Sequence, residues 1–290
     1  MRMQRWVVAL AVIAAALAGC SGHGRTHHRP SAGGPVSTGT HWIIAASAVG
    51  RLEQAAGPAF VAQYLDGPQT TILSPRVVPA ALASWHVAFA YDTQSLAQIR
   101  AALSARPPRQ VTMVLYDPEH WKFTPASEQA SVGASAATAA SLVHQAGLRL
   151  IVAPATNLAE SRPGGTPLPQ KFLGSSILAQ VAHSADWVEV QAQGLEADPA
   201  RYTAYVTAAL SQIRRANPRA TVYAGLSTGP SGQRVSASEL LADISQTSRD
   251  VSGYWLNVPN QGQACPRCSS ARPQVAIALL RRLGEGRGNA

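Results

Sequence analysis

From His41 onward, short runs rich in β-branched and aromatic residues alternate with Ala-, Leu- and Gln-rich stretches of helical period, and this alternation leaves few folds open. Strands are expected at HWIIAAS (41–47), TTILS (70–74), HVAFAY (86–91), VTMVLYD (111–117), LRLIVAPA (148–155), DWVEVQAQ (186–193), ATVYAGLS (220–227) and VSGYWLNV (251–258). The spacing between them predicts helices over 50–65, 95–105, 131–145, 202–216, 238–248 and 274–283. Strands alternating with helices imply a parallel α/β sheet, and a count of eight points to a single closed (β/α)8 barrel of the TIM type over residues 41–290. The second unit is short, since sixteen residues separate the starts of the second and third strands and leave room for a very short helix. A doubly wound open sheet is the alternative, although no glycine-rich dinucleotide loop follows the first strand.

Connection lengths orient the barrel. Helix-to-strand connections are brief: AGL at 146–148, NPRA at 217–220 and SRD at 248–250. Strand-to-helix connections are long after the fourth (118–130), fifth (156–170) and eighth (259–273) strands. In a barrel all of these lie on the C-terminal face, where ligands bind, so length has been added on one face only.

The residues before His41 belong to targeting. Arg2 and Arg5 flank an apolar run from Trp6 to Leu17, too short for a membrane span, followed by small residues and a Cys. Leu17-Ala18-Gly19-Cys20 resembles the lipobox of bacterial lipoproteins. The resemblance implies a signal peptide over residues 1–19, cut before Cys20, which becomes the acylated first residue of a protein exported to the outer face of the cell membrane. Two or three acyl chains on one residue meet the requirement for stable anchoring, so membrane lipid is the expected partner at this end. Residues 20–40 carry no periodicity and are rich in Gly, Ser, Thr and Pro. They read as a tether reaching roughly 25 Å if flexible. His23, His27 and His28 within it fit a solvated linker better than a metal tract.

The chain of 290 residues is 46% hydrophobic with a formal net charge of +9, enough apolar material for one large domain. Removing residues 1–19 takes away two of the 24 basic groups, leaving 22 against 15 acidic ones, or +7. The positive charges are scattered, without a basic stripe interleaved with aromatics, which argues against nucleic acid and for a milder attraction to anionic polymers or lipid head groups of the envelope.

Alternation along the sixth strand places Val188, Val190 and Ala192 on the helix-facing side and Trp187, Glu189, Gln191 and Gln193 toward the barrel axis. On the eighth strand Trp255 and Asn257 share one parity, opposite to Tyr254, Leu256 and Val258. The seventh strand ends at Ser227; Asn157 follows the fifth, and Asp92 the third. The expected mouth is therefore rich in amides, hydroxyls and acids, with an aromatic. Such a lining suits a polyhydroxylated ligand such as a glycan, because amides and carboxylates bind hydroxyls and indole faces stack on sugar rings.

Asp117 and Glu119 close the fourth strand. Two positions apart on extended chain, they share a side, and each disfavours ionisation of the other, which can hold one protonated as an acid. Here the chain resembles the chitinase-like and lysozyme-like (β/α)8 glycoside hydrolases. That resemblance implies Glu119 as general acid, Asp117 as its helper and Trp255 in the sugar site. The chain departs from the chitinase-like pattern at Val111, Met113 and Leu115, where that pattern has further acids, and Pro118 between the two acids also suits a simple turn. Catalytic, ligand-binding and structural roles for Glu119 all stay open at this point. Glu189 is the candidate second carboxylate and Asp92 its reserve, although strand rise sets Glu189 roughly 7 Å below Gln191. A glycan-binding or envelope-organising barrel without turnover is the rival function. Nucleophilic triads are disfavoured because His120 and His144 have no evident Ser partner, no metal-ligand spacing is found, and no cofactor is expected.

With Cys20 committed to lipid, Cys265 and Cys268 in the last long loop remain, and in an exported protein they are expected to form a local disulfide. The anchor is directly testable. Cys20→Ser is expected to leave an unprocessed precursor or to release the protein from the membrane fraction, and continued fatty-acid labelling of the variant would refute lipidation.

Overall fold

The computed structural model describes residues 39–160, 167–263 and 265–285. The lipobox, Cys20 and the linker through residue 38 lie outside them. Eight strands, β1 (His41–Ala45), β2 (Thr70–Ser74), β3 (Ala88–Thr93), β4 (Val111–Tyr116), β5 (Arg149–Val152), β6 (Trp187–Val190), β7 (Thr221–Ser227) and β8 (Gly253–Asn257), close a barrel in sequence order. Every pairing is parallel, and β8 returns to β1 with Trp255 opposite Ile43. Closure excludes the open doubly wound sheet.

The strand alternation sorts the core into two shells. Outward side chains such as Trp42, Phe89, Tyr116, Val188, Val190 and Tyr254 pack against the helices. Inward ones, Ile43, Leu73, Ala90, Met113, Leu115, Ile151, Ala153 and Tyr223, form an apolar plug with Trp187 and Trp255 packed against it. Trp187 stacks on Tyr223 at 4.8 Å, and the Arg149 guanidinium lies over the Trp187 ring at 5.2 Å. The plug fills the lower barrel, so only the upper end is free to be polar.

The helices are α1 (Ala46–Ala56), α2 (Pro58–Leu65), α3 (Leu96–Ser104), α4 (Ala126–Ala130), α5 (Val132–Gln145), α6 (Leu168–Leu173), α7 (Ile177–Ala182), α8 (Pro199–Ala216), α9 (Ala237–Thr247) and α10 (Pro273–Glu285). The helix expected over 50–65 is two helices, because Gly57 takes φ 85° and Pro58 restarts the helix at its first position. Ser95 caps α3, Asp198 caps α8, and Ser236 with Glu239 forms a capping box on α9. Sequence periodicity missed α4, α6 and α7, each of five or six residues and too short to display a helical repeat. In the second unit, among the described residues, a 3₁₀ turn at Ala80–Leu82 stands where a helix would close the outer ring.

Cys265 and Cys268 form a disulfide within the loop after β8. The ring is small, so the loop-entropy contribution is about 1–2 kcal/mol. Unreduced mass spectrometry of exported protein is expected to find this bridge, and the double Ser variant to lose stability only within that range in urea unfolding. Freely alkylated thiols in native material would contradict it.

Candidate active site

Past the end of β4 the ladder continues on both sides. Asp117 N–H donates to the Thr93 carbonyl at 2.8 Å, while the Tyr116 and Pro118 carbonyls accept from Ala153 and Ala155 at 3.0 Å. Pro118 therefore extends the strand instead of opening a turn. Asp117 keeps the inward parity of Met113 and Leu115, and Glu119 follows two positions on, at the rim.

Four carboxyls gather here from three strands and the loop beyond one of them, and each accepts a hydrogen bond from a different amide. Gln94 donates to Asp92 at 2.9 Å, Gln191 to Asp117 at 3.1 Å, Asn157 to Glu119 at 3.4 Å and Gln193 to Glu189 at 3.5 Å. Three residues read from the sequence as ligand contacts, Asn157, Gln191 and Gln193, thus serve the acids first. Among the described residues the ion pairs are His86–Asp66, His120–Glu160 and His144–Asp186, so these four carboxyls have no cation.

Their depths differ. Glu189 is fully buried, and its Oε2 has no hydrogen-bond partner. Room for it comes from Gly225 on β7, where a Cβ would run into Glu189 Oε1 and Gln193 Nε2. Asp117 is 8% exposed. Glu119 and Asp92 are half-buried and reach solvent. The site is therefore a deep acid, a covered acid and two partly exposed acids, with Asp92 rather than Glu189 as the more accessible companion of Glu119.

Burial without a cation pushes all four upward. Desolvation raises Asp92 to about 6, against the pull of Gln94. Glu119 rises to about 7, mainly by desolvation, with Asp92 adding to the shift and Asn157 opposing it. Glu189 reaches about 8 by desolvation, with a smaller push from Glu119. Asp117 lies well above the carboxylate range, through burial and then the charges of Glu119, Asp92 and Glu189. Near neutrality the cluster holds protons because it has no other way to shed charge.

The other sequence candidates are placed less directly. Ser227 is buried, its hydroxyl accepting from Gly229 N and its own N–H donating to Glu196. It ties its loop together. Asn257 is half-buried at the end of β8, and its side chain has no hydrogen-bond partner among the described residues. Trp255 packs on the apolar plug with its ring N–H buried and unpartnered.

Sequence reasoning missed Trp121, Phe123 and Thr124. The two aromatics meet edge to face at 5.0 Å and are half-buried directly after the acidic tip. Buried Thr124 joins the loops: its hydroxyl donates to the Gln94 carbonyl at 2.9 Å and accepts from Glu119 N and Trp121 Nε1 at 3.2 and 3.0 Å. The signal was there to see in WKFT following DPEH, an aromatic pair and a hydroxyl beside two acids. Glu196 and Asp243, also missed, are fully buried behind β7 and β8 and raised to about 7 and about 8 by desolvation.

Fold and site together define an acid-lined (β/α)8 barrel whose open end carries two solvent-reaching carboxyls. Neither a family model nor a curated protein sequence matches the chain. Among solved structures it is similar to a glycoside hydrolase family 17 β-1,3-glucanosyltransferase from Rhizomucor miehei, at 10% identity and a TM-score of 0.49 over 83% of this chain and 98% of that one. It is likewise similar to a chitinase from Chromobacterium violaceum, at 11% identity and 0.46 over 85% and 99%. Triosephosphate isomerase from Bartonella henselae matches at 12% and 0.43 over 84% and 99%.

Among the described residues, no three of His, Cys, Asp and Glu are arranged to hold a metal ion. The arrangement offers proton transfer between carboxyls, with aromatic faces beside them. It also implies a pH response. Each raised carboxyl keeps its proton to higher pH in the folded chain than at its ordinary value of 3.8 or 4.5 in the unfolded one. The folded state then binds more protons, so stability is full below those ordinary values and is lost as pH rises through about 6 to 8. The melting temperature is expected to be higher near pH 5 than near pH 8, with Glu189→Gln flattening that slope. A melting temperature that climbs over this interval would refute it.

Proposed function

We propose that this protein is a glycan-directed hydrolase of the cell envelope or its surroundings, exported and held at the membrane through lipid on Cys20. The observation that carries the reading is the pair of partly exposed carboxyls, Glu119 raised to about 7 and Asp92 to about 6, electrostatically coupled at the ends of the neighbouring strands β4 and β3.

A general acid works best when its pKa lies near the operating pH, and Glu119 meets that condition. Protonated, it donates to the glycosidic oxygen as the bond to the leaving sugar breaks. Asp92, ionising first, offsets the positive charge developing at the anomeric carbon and accepts the proton of the water that adds there, while the leaving sugar departs as the alcohol with the proton from Glu119. Asp117 beneath them is fixed by Gln191, and burial raises its pKa well above the carboxylate range, which favours its neutral form beside the substrate position. Trp121 and Phe123 provide apolar faces for a sugar ring beside Glu119. A glycan-binding barrel without turnover is supported by one observation, that all four carboxyls are already hydrogen-bonded by the chain's own amides.

Glu119→Gln keeps size and hydrogen bonding but removes the proton, and turnover is expected to fall by about 10²–10⁴ while glycan affinity persists. The wild-type rate should decline above about pH 7, as Glu119 loses its proton, and below about pH 6, as Asp92 gains one. Asp92→Asn should abolish the acidic limb. An envelope-glycan panel assayed for binding and product release distinguishes the readings. Binding without turnover selects the binding barrel, and neither binding nor turnover eliminates both.

A further inference from the structure

The short second unit leaves a gap in the outer ring, and the gap is a pocket. Its volume is about 580 Å³, within the range of roughly 300–1,000 Å³ usual for small-ligand sites. One wall is a single face of α3, on which Ala97 and Ala101 are exposed and Ala105 follows just past the helix end. Spaced four apart, these methyls form a low ledge that any longer side chain would fill. The opposite wall is the start of the loop after β2, where Ser74 Oγ donates to the Val77 carbonyl and fixes the turn carrying Arg76.

The polar part of the lining is chemically mixed. The pocket reaches Asp92 and Gln94 at the top of β3, so it is continuous with the mouth. Gln98 lines it as well. Arg76, two residues past the end of β2, also lines the pocket, exposed and with no hydrogen-bond or ion-pair partner among the described residues. A ligand in the pocket thus meets an acid, two amides and a free guanidinium. Amides suit hydroxyls, whereas an unpaired guanidinium suits a planar carboxylate, which it can hold with two parallel hydrogen bonds.

Building on the glycan reading of the mouth, we propose that this lateral pocket is a binding site for an acidic sugar unit of a polymeric glycan, with Arg76 on the sugar carboxylate and the ring lying over the alanine face of α3. The substrate class is then a uronate-bearing chain rather than a neutral one. The lipid anchor is not needed for this proposal.

The test uses the Glu119→Gln protein, residues 21–290, so that no probe is consumed. Four probes are titrated by calorimetry: a galacturonate tetrasaccharide, a tetrasaccharide alternating glucuronate with N-acetylglucosamine, and each of the two with its carboxylates reduced to alcohols. At least one acidic probe is expected to bind about tenfold or more tighter than its reduced counterpart, the scale of a charge-assisted bidentate contact. Arg76→Gln should erase that difference while leaving the reduced probe's affinity unchanged. Ala101→Leu, exposed and helix-compatible, should weaken acidic and reduced probes alike by filling the ledge. Equal affinity for acidic and reduced probes, an acid preference that survives Arg76→Gln, binding indifferent to Ala101→Leu, or no binding of either acidic probe would each overturn the proposal. Wild-type cleavage of neutral glycans without acid preference would reject the pocket and keep the hydrolase. Arg76-dependent uronate binding with no cleavage of any glycan would keep the pocket and reject the hydrolase.

Discussion

Four carboxyls occupy the open end of this barrel, and among the described residues no cation pairs with them. A carboxylate removed from water without a counter-charge is costly, and a protein can meet that cost with a positive partner, with protons or with donated hydrogen bonds. This chain combines the last two. The choice dictates much of the upper barrel: four amides committed to four acids, a glycine on β7 that vacates the space the deepest acid needs, and an apolar plug beneath that keeps water from entering below. It also grades the acids by depth, so that the two nearest solvent ionise most readily and the covered pair holds its protons.

The architecture was largely legible in the sequence, and the reason is physical. Parallel barrel strands bury both faces, so their apolar runs stand out, and β2 at Thr70–Ser74 and the inward face of β6 follow directly from composition and period two. Asp117, Glu119, Asp92 and Glu189 were all visible as candidates for the same reason. What the sequence did not contain was their pairing. Gln191 reaches Asp117 across 74 positions and Asn157 reaches Glu119 across 38, and such partners are set by register between strands, which no local pattern encodes. Pro118 read equally well as a turn. Its carbonyl instead extends the ladder to Ala155, and that decides where Glu119 points. The short helices α6 and α7 fell below the length at which a helical repeat can be recognised.

The abbreviated second unit shows how a deletion can create a surface. In a complete barrel the helix after β2 would pack beside α3 and cover its flank. Here a 3₁₀ turn takes that place, and α3 compensates with alanines, which leave little apolar surface to hide. The flank is open without being greasy, and it adjoins the third strand, the one that carries Asp92.

Thr124 has a mechanical consequence. Its hydroxyl links the Gln94 carbonyl to the Glu119 amide and the Trp121 indole, so the loops after β3 and β4 are fastened into one body that carries both solvent-reaching acids. The loop after β5 joins the same body, since His120 N–H donates to Asn157 Oδ1 at 2.8 Å and the His120 ring pairs with Glu160 at 3.0 Å. The spacing of Asp92 and Glu119 is thereby held by the loops that carry them, not by the barrel strands alone.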